Sequence, residues 1–229
     1  DSGNNLHGGC DFYANRIWKT ESVDKNEVVL SLKSPDMDQG FPGNLDIKVS
    51  YSISEDNEFK ICYQAVSDAD TIVNMTNHSY FNLDGHASGS ILNEKVMIDA
   101  DFYTKSDSKS IPTGEIVDVT KTPLDFRSFK ELGQDIYCDN EELKFGKGYN
   151  HNYVLKNDGR LCKVATVMSD ISGITMEILT DMPGLQLYTA NYLDHIVGKS
   201  SAVYNQYDAV CFETQYFPDA PHHSNFPSS

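Results

Sequence analysis

Between Leu45 and Ser54 the chain alternates without a break: Leu45, Ile47, Val49, Tyr51 and Ile53 are apolar, and Asp46, Lys48, Ser50, Ser52 and Ser54 lie between them. Ten residues of period two are incompatible with a helical stripe and predict an antiparallel strand with one face buried and one wet. A weaker alternation runs through Phe59–Tyr63. Runs rich in β-formers occupy Val28–Leu32, Lys95–Ile98, Leu161–Met168, Thr175–Thr180, Leu185–Ala190 and Ala209–Phe217. Turn clusters such as Ser34-Pro35-Asp36, Ser54-Glu55-Asp56-Asn57, Asn157-Asp158-Gly159 and Met182-Pro183-Gly184 separate them. Only Arg127–Ile136 reads as a short helix, with Ser128 as N-cap and Glu131 three residues on. The pattern predicts an all-β class, many antiparallel strands packed as a sandwich with few short helices. No repeat, low-complexity block or linker interrupts it, so residues 1–229 are expected to form one domain.

Composition narrows the partners. With 18 basic against 34 acidic residues the formal charge is −16, which repels phosphate backbones and anionic lipid surfaces, so neither nucleic acid nor membrane is expected. No segment approaches the ~18 consecutive apolar residues of a membrane helix. Five cysteines (Cys10, Cys62, Cys138, Cys162, Cys211) are odd in number, widely spread and without a Cys-x-x-Cys pair, which argues against a disulfide framework or zinc ribbon. Two adjacent glycosylation sequons, Asn74-Met75-Thr76 and Asn77-His78-Ser79, would place a glycan on the most unusual segment of the chain in a secreted protein; they are read as incidental and the protein as cytoplasmic.

Two segments carry groups suited to chemistry. In an extended Ala209–Phe217, Cys211, Glu213 and Gln215 share one face and Val210, Phe212 and Thr214 the other, which sets a carboxylate beside an amide; a merely solvated face explains the same pattern. Val73–Leu83 crowds three Asn, a His, a Ser and a Thr among apolar residues, a density costly to bury unless the groups are paired. Its His78 is equally readable as a core histidine, and His7, before Gly8 and Gly9, as part of a plain turn. His222-His223 is the one adjacent pair of metal-ligand type, and neighbours rarely present both rings to one ion, so no metal site is expected. There is no glycine-rich phosphate loop, Gly-x-Ser-x-Gly elbow or dinucleotide fingerprint. What remains is acid–base work by His and carboxylate with no cofactor.

Several segments, taken in order, resemble the aldose 1-epimerase (galactose mutarotase) family. They are Asn5-Leu6-His7-Gly8-Gly9, Gly40-Phe41-Pro42-Gly43-Asn44-Leu45, Asn77-His78-Ser79-Tyr80-Phe81-Asn82-Leu83, Ile111-Pro112-Thr113-Gly114-Glu115-Ile116, Thr122-Pro123-Leu124-Asp125-Phe126-Arg127, Gly148-Tyr149-Asn150-His151-Asn152, Pro183-Gly184-Leu185-Gln186-Leu187-Tyr188-Thr189, and Phe212-Glu213-Thr214-Gln215 with Phe217-Pro218-Asp219-Ala220. The resemblance implies an antiparallel β-supersandwich with an open carbohydrate cleft, and interconversion of the α and β anomers of a neutral aldohexose such as galactose or glucose. It implies Glu213 as general base, His78 as general acid, and His7, Ser79, Tyr80, Asn150 and Gln186 as substrate-binding residues.

The sequence departs from the family pattern in two places. Asn150 stands where the family usually has a sugar-contacting Asp, which keeps the shape but loses the charge. The chain also starts six residues before His7, where the family has early strands and an Asn-Arg pair that binds the sugar; that segment is expected to be missing here. Asn15 and Arg16 follow the His-Gly-Gly motif instead of preceding it and are read as structural. The competing readings are a catalytically weak sugar-binding protein on the same scaffold, a hexose 6-phosphate enzyme, disfavoured by the lack of a basic cluster, and a glycosidase pairing Glu213 with Asp125, Asp181 or Asp219. Monomer and dimer are equally compatible with the sequence.

Overall fold

The computed structural model describes residues 3–229, which divide into two compact units, one ending at Met75 and one running from Thr76 to Ser229. The first is an antiparallel sheet of β1 (Lys19–Val23), β2 (Glu27–Ser34), β3 (Leu45–Ile53) and β4 (Phe59–Ser67) in that spatial order. The alternation is realised in β3, where Leu45, Ile47 and Val49 are buried while Asp46 and Lys48 face outward. The Ser54–Glu58 turn closes the β3–β4 hairpin, with Asn57 in the left-handed region that asparagine tolerates. Arg16 grips both carboxylate oxygens of Asp38 in a forked ion pair, one arm at 2.9 Å, and holds that carboxyl down at about 2. Arg16 therefore serves the architecture of this unit, as its place in the sequence suggested.

The second unit holds two larger sheets. One contains β5 (Lys95–Ile98), β8 (Lys130–Glu131), β10 (Cys162–Met168) and β11 (Thr175–Thr180) in the order β11-β10-β5-β8. The other contains β6 (Phe102–Ser106), β7 (Pro112–Asp118), β9 (Asn150–Val154), β12 (Gly184–Tyr188) and β15 (Cys211–Gln215) in the order β15-β12-β9-β6-β7. A two-stranded ribbon of β13 (Ile196–Val197) and β14 (Val203–Tyr204) stands apart. All these pairings are antiparallel. Val96, Ile98, Ala165 and Val167 of the first sheet and Tyr153, Leu185, Leu187 and Phe212 of the second belong to one buried cluster, so the two sheets pack as a sandwich.

The helix expected over Arg127–Ile136 is absent. Lys130 and Glu131 pair with Val96 and Lys95, and the N–H groups of Leu132 and Gly133 donate to the carbonyls of Glu94 and Leu92 instead of to their own preceding turn. Lys130, nearly buried, carries its ammonium over the Phe126 ring at 4.1 Å and donates to the Pro123 carbonyl and Asp135, contacts that an isolated helix would forfeit. The α-helix of this unit, α1, is Glu141–Gly146 instead: the side chain of Asn140 accepts from the Leu143 N–H as N-cap, two glutamates occupy its first turn, and Lys147 ends it in the left-handed conformation.

Two features place the segment that carries His78. Phe81 and Val210 exchange backbone hydrogen bonds of 2.8 and 2.9 Å, tying the segment to the chain just before β15. The Asn82 amide donates to the carbonyls of Gly89 and Asp208, and the Leu83 N–H donates to the Glu94 carboxylate at 2.7 Å. Glu94 is buried, its second oxygen has no hydrogen-bond partner, and burial pushes its carboxyl up to about 7 from 4.5. The unfolded chain loses this proton near 4.5 and the folded one near 7, so stability falls as pH rises through that window. Glu94→Gln keeps an acceptor for Leu83 and removes the buried charge. Urea unfolding at about pH 5 and pH 8 should show a loss smaller by about 2–3 kcal/mol in E94Q than in the parent; equal losses would show that Glu94 does not carry this pH dependence.

Candidate active site

The register of the five-stranded sheet brings the site together. Gln186 in β12 lies opposite Glu213 of β15 on one side and Asn152 of β9 on the other, and Tyr188 likewise lies between Cys211 and Asn150. Directly opposed residues share a face, so these six side chains project from one surface while Leu185, Leu187 and Phe212 fill the core on the other. Gly148, at φ +135°, turns the chain into β9 where a Cβ would lie 2.5 Å from Asn191 Oδ1.

Glu213 is buried and has one oxygen 3.5 Å from His78 Nε2. Burial pushes its carboxyl up to about 7 from 4.5, the range in which a carboxylate serves as a base at neutral pH. The His78 ring stacks on Tyr80 at 5.1 Å and meets the edge of Tyr188 at 5.8 Å. Tyr188 stacks in turn on Tyr192, whose N–H donates to the Tyr188 hydroxyl. Tyr80 and Tyr192 are about half exposed, which leaves aromatic surface beside the acid–base pair. The Ser79 N–H donates to the Asn77 side chain, an Asx turn that helps shape the histidine's segment.

A chain of amides lies beside the pair. Gln215 Nε2 donates to Gln186 Oε1 at 3.4 Å and to Asn152 Oδ1 at 3.3 Å, and Gln186 Nε2 donates to Asn150 Oδ1 at 2.8 Å. Asn152 passes the chain to Thr104. The buried His151, pushed down to about 4 by burial and so neutral, accepts the Asn150 N–H on Nδ1 at 3.0 Å and fixes the backbone there.

Of the residues singled out in the sequence, His78, Ser79, Tyr80, Asn150, Gln186 and Glu213 all lie in the second unit, and His78 and Glu213 meet directly, as do Asn150 and Gln186. His7 belongs to the first unit, where it is exposed, adopts positive φ and packs edge-on to Phe12. Asp125 is held by Arg127, and Asp219 by His222 and His223, so neither stands with Glu213 as a paired carboxylate. Tyr188 stands in the sequence only as part of the Pro183–Thr189 segment, and Tyr192 carries no signal there; cross-strand register and ring stacking, which single them out, are not encoded locally. The sequence also offers only His222-His223 as neighbouring metal ligands, whereas the fold brings together one ligand atom each from His78, Cys211 and Glu213 within 4.8 Å of one another.

A buried carboxylate beside an imidazole, on an amide- and tyrosine-lined sheet face of a β-sandwich, is a site fitted to acid–base work. The family model described as aldose 1-epimerase matches residues 1–229, and the chain belongs to that family. It is 37% identical over 225 residues to the aldose 1-epimerase of Escherichia coli K12 and 40% identical over 228 residues to the galactose mutarotase of Homo sapiens, covering 98% of this chain in each case. It spans 64% of the length of both relatives. Among solved structures, an aldose epimerase homologue from C. elegans superposes with a TM-score of 0.88 at 31% identity, over 97% of this chain and 66% of that one. The galactose 1-epimerase of Lactobacillus acidophilus gives 0.80 at 29% identity, over 93% and 62%. The expected galactose mutarotase-like, mostly antiparallel β fold is thereby borne out. None of the helices among the described residues is long and apolar enough to cross a membrane.

Proposed function

We propose that the protein is an aldose 1-epimerase, interconverting the α and β anomers of a neutral aldohexose of the galactose or glucose type. The observation that carries this reading is the His78–Glu213 pair, 3.5 Å apart on the polar sheet face of a chain that belongs to the aldose 1-epimerase family. The family match along residues 1–229 also supports treating both units as parts of one mutarotase-like domain.

In this mechanism a hemiacetal parts the pair, with one group on each of its oxygens. Glu213 removes the proton of the anomeric hydroxyl while His78 Nε2–H protonates the ring oxygen. The C1–O5 bond breaks and its electron pair goes to the protonated oxygen, leaving the open-chain aldehyde. Rotation about C1–C2 presents the other carbonyl face, and the same groups in reversed roles close the ring. Each partner in such concerted catalysis supplies roughly 10²–10⁴ in rate. Ser79, Tyr80, Asn150 and Gln186 would hold the sugar. Five free cysteines are compatible with a reducing compartment, and we place the protein in the cytoplasm. Polarimetry on freshly dissolved α-galactose or α-glucose tests the reading: the full chain should speed the approach to equilibrium optical rotation, and calorimetric sugar binding without acceleration would overturn it.

Asn150 is the residue on which sugar preference should turn. Gln186 already donates to its carbonyl oxygen, so the Asn150 amide nitrogen remains to meet a ligand as a donor. Asn150→Asp replaces that donor with a charged acceptor, whose hydrogen bonds are worth about 1 kcal/mol more than neutral ones. Galactose or glucose affinity by calorimetry should therefore tighten roughly fivefold in N150D, and unchanged affinity for both would show that the position does not contact the sugar.

A further inference from the structure

The acid and the base do not stand alone on their sheet face. Cys211 is two residues before Glu213 on β15, so its thiol projects on the same side as the carboxylate, and both residues are buried. Its strand neighbour is Tyr188, whose ring covers His78 edge-on. The resulting trio offers a sulfur, an imidazole nitrogen and a carboxylate oxygen, all within 4.8 Å of one another. A hydrolytic or epimerising pair has no need of a thiol there.

These three donor types are the ligands of zinc, whose bonds of about 2.0–2.2 Å to nitrogen and oxygen set the edge of a tetrahedral site near 3.4 Å. The His78–Glu213 edge, at 3.5 Å, already has that length. The sulfur lies within 4.8 Å of both, so it need draw in by little more than about 1 Å at most for an ion with Zn–S near 2.3 Å to bridge all three. Softness adds selectivity: a thiolate in the set favours zinc and its thiophilic neighbours over magnesium or calcium, which take oxygen. The partly exposed His78 side chain is the entry side, because the two other ligands are buried beneath it.

We propose that His78, Cys211 and Glu213 form a binding site for a thiophilic divalent cation of the zinc type, and that its occupancy withholds the acid–base pair from substrate. Binding replaces the thiol proton, released to solvent, with a metal–sulfur bond and involves no oxidant. The ion's own hydrate completes the fourth position. The inhibitory half of this inference rests on the mutarotase reading; the binding half does not.

The test separates the two halves by titrating the metal-stripped full chain with Co²⁺ as a spectroscopic substitute for zinc and following thiolate-to-metal charge-transfer absorption. A saturable 1:1 band is expected, lost in Cys211→Ser and weakened at least tenfold in affinity by His78→Asn, since even partners behind a metal ligand are worth 10–100-fold. Cys211→Ala, which leaves no hydroxyl to satisfy, serves if the serine variant does not fold. Absence of the band in the parent, or a band that persists in both Cys211→Ala and His78→Asn, would overturn the site, the latter by assigning the metal to other cysteines. In parallel, zinc should slow polarimetric mutarotation and a chelator should restore it. Each variant is read against its own metal-free rate, with Cys211→Ser needing at least tenfold more zinc for half inhibition. Equal zinc sensitivity in parent and serine variant would overturn the inhibitory role. If the metal-free parent shows no acceleration at all, the mutarotase reading fails, and the absorption titration still decides whether the site exists.

Discussion

Replacing Glu213 with Gln should slow enzyme-accelerated mutarotation of galactose or glucose by roughly 10²–10⁴-fold and leave the protein folded. Gln keeps the size of the side chain and an acceptor oxygen but cannot take the anomeric proton. The energetic context makes the result informative. Burial holds the Glu213 carboxyl at about 7, so above that pH the fold bears the burden of a desolvated charge. The unfolded chain gives up this proton near 4.5, and stability therefore declines between the two values as pH rises. E213Q escapes that decline. Its unfolding midpoint in urea at about pH 8 should equal or exceed the parent's while its rate collapses. A parental mutarotation rate in a folded E213Q would remove Glu213 from the reaction. A collapse in both rate and stability would instead assign Glu213 a structural part.

Gly148→Ala should destabilise the protein by about 3 kcal/mol or more. Two costs add. Gly148 has φ +135°, a conformation essentially confined to glycine. The new Cβ would also lie 2.5 Å from Asn191 Oδ1 and 3.0 Å from the Tyr207 ring. Asn191 cannot yield freely, because its amide donates to the carbonyls of Gly146 and Tyr149 at 2.7 and 2.8 Å and its oxygen accepts from Thr189. Gly159→Ala is the control: φ is +82° and nothing lies within 4 Å of the added carbon, so only backbone strain of about 1 kcal/mol is expected. Urea denaturation of both variants checks the difference; equal losses would show that the Asn191 contact contributes nothing.

The strands legible in the sequence are those with one wet face. β3 was marked out almost to the residue, because its buried Leu45, Ile47 and Val49 alternate with charged neighbours. β9 lacks a strand signal for a physical reason: Asn-His-Asn-Tyr-Val buries His151, which accepts its neighbour's N–H, and Asn152, whose partners Thr104 and Gln215 lie far along the chain, so no apolar alternation survives. The segment Arg127–Ile136 had helical local signals, yet its N–H groups found better partners in the strand beside it, and tertiary pairing outweighed propensity. Within the site, Glu213 and His78 stood out through motif and local polarity. Cys211 was visible as a face-mate of Glu213, but not as a neighbour of an imidazole carried by a distant segment. Tyr192 gave no local signal, since its stacking on Tyr188 exists only after the chain has turned back on itself.

The tie between Phe81 and Val210, reinforced by the Asn82 amide on the Asp208 carbonyl 126 positions away, also bears on the order of events during folding. Closing so long a loop carries a high entropic cost and comes slowly, whereas hairpins such as β10–β11 require only local search. His78 and Glu213 are brought together across this contact. Refolding monitored by circular dichroism should therefore recover sheet signal before catalysis. The interval between the two would time the closing of the Phe81–Val210 tie within the second unit.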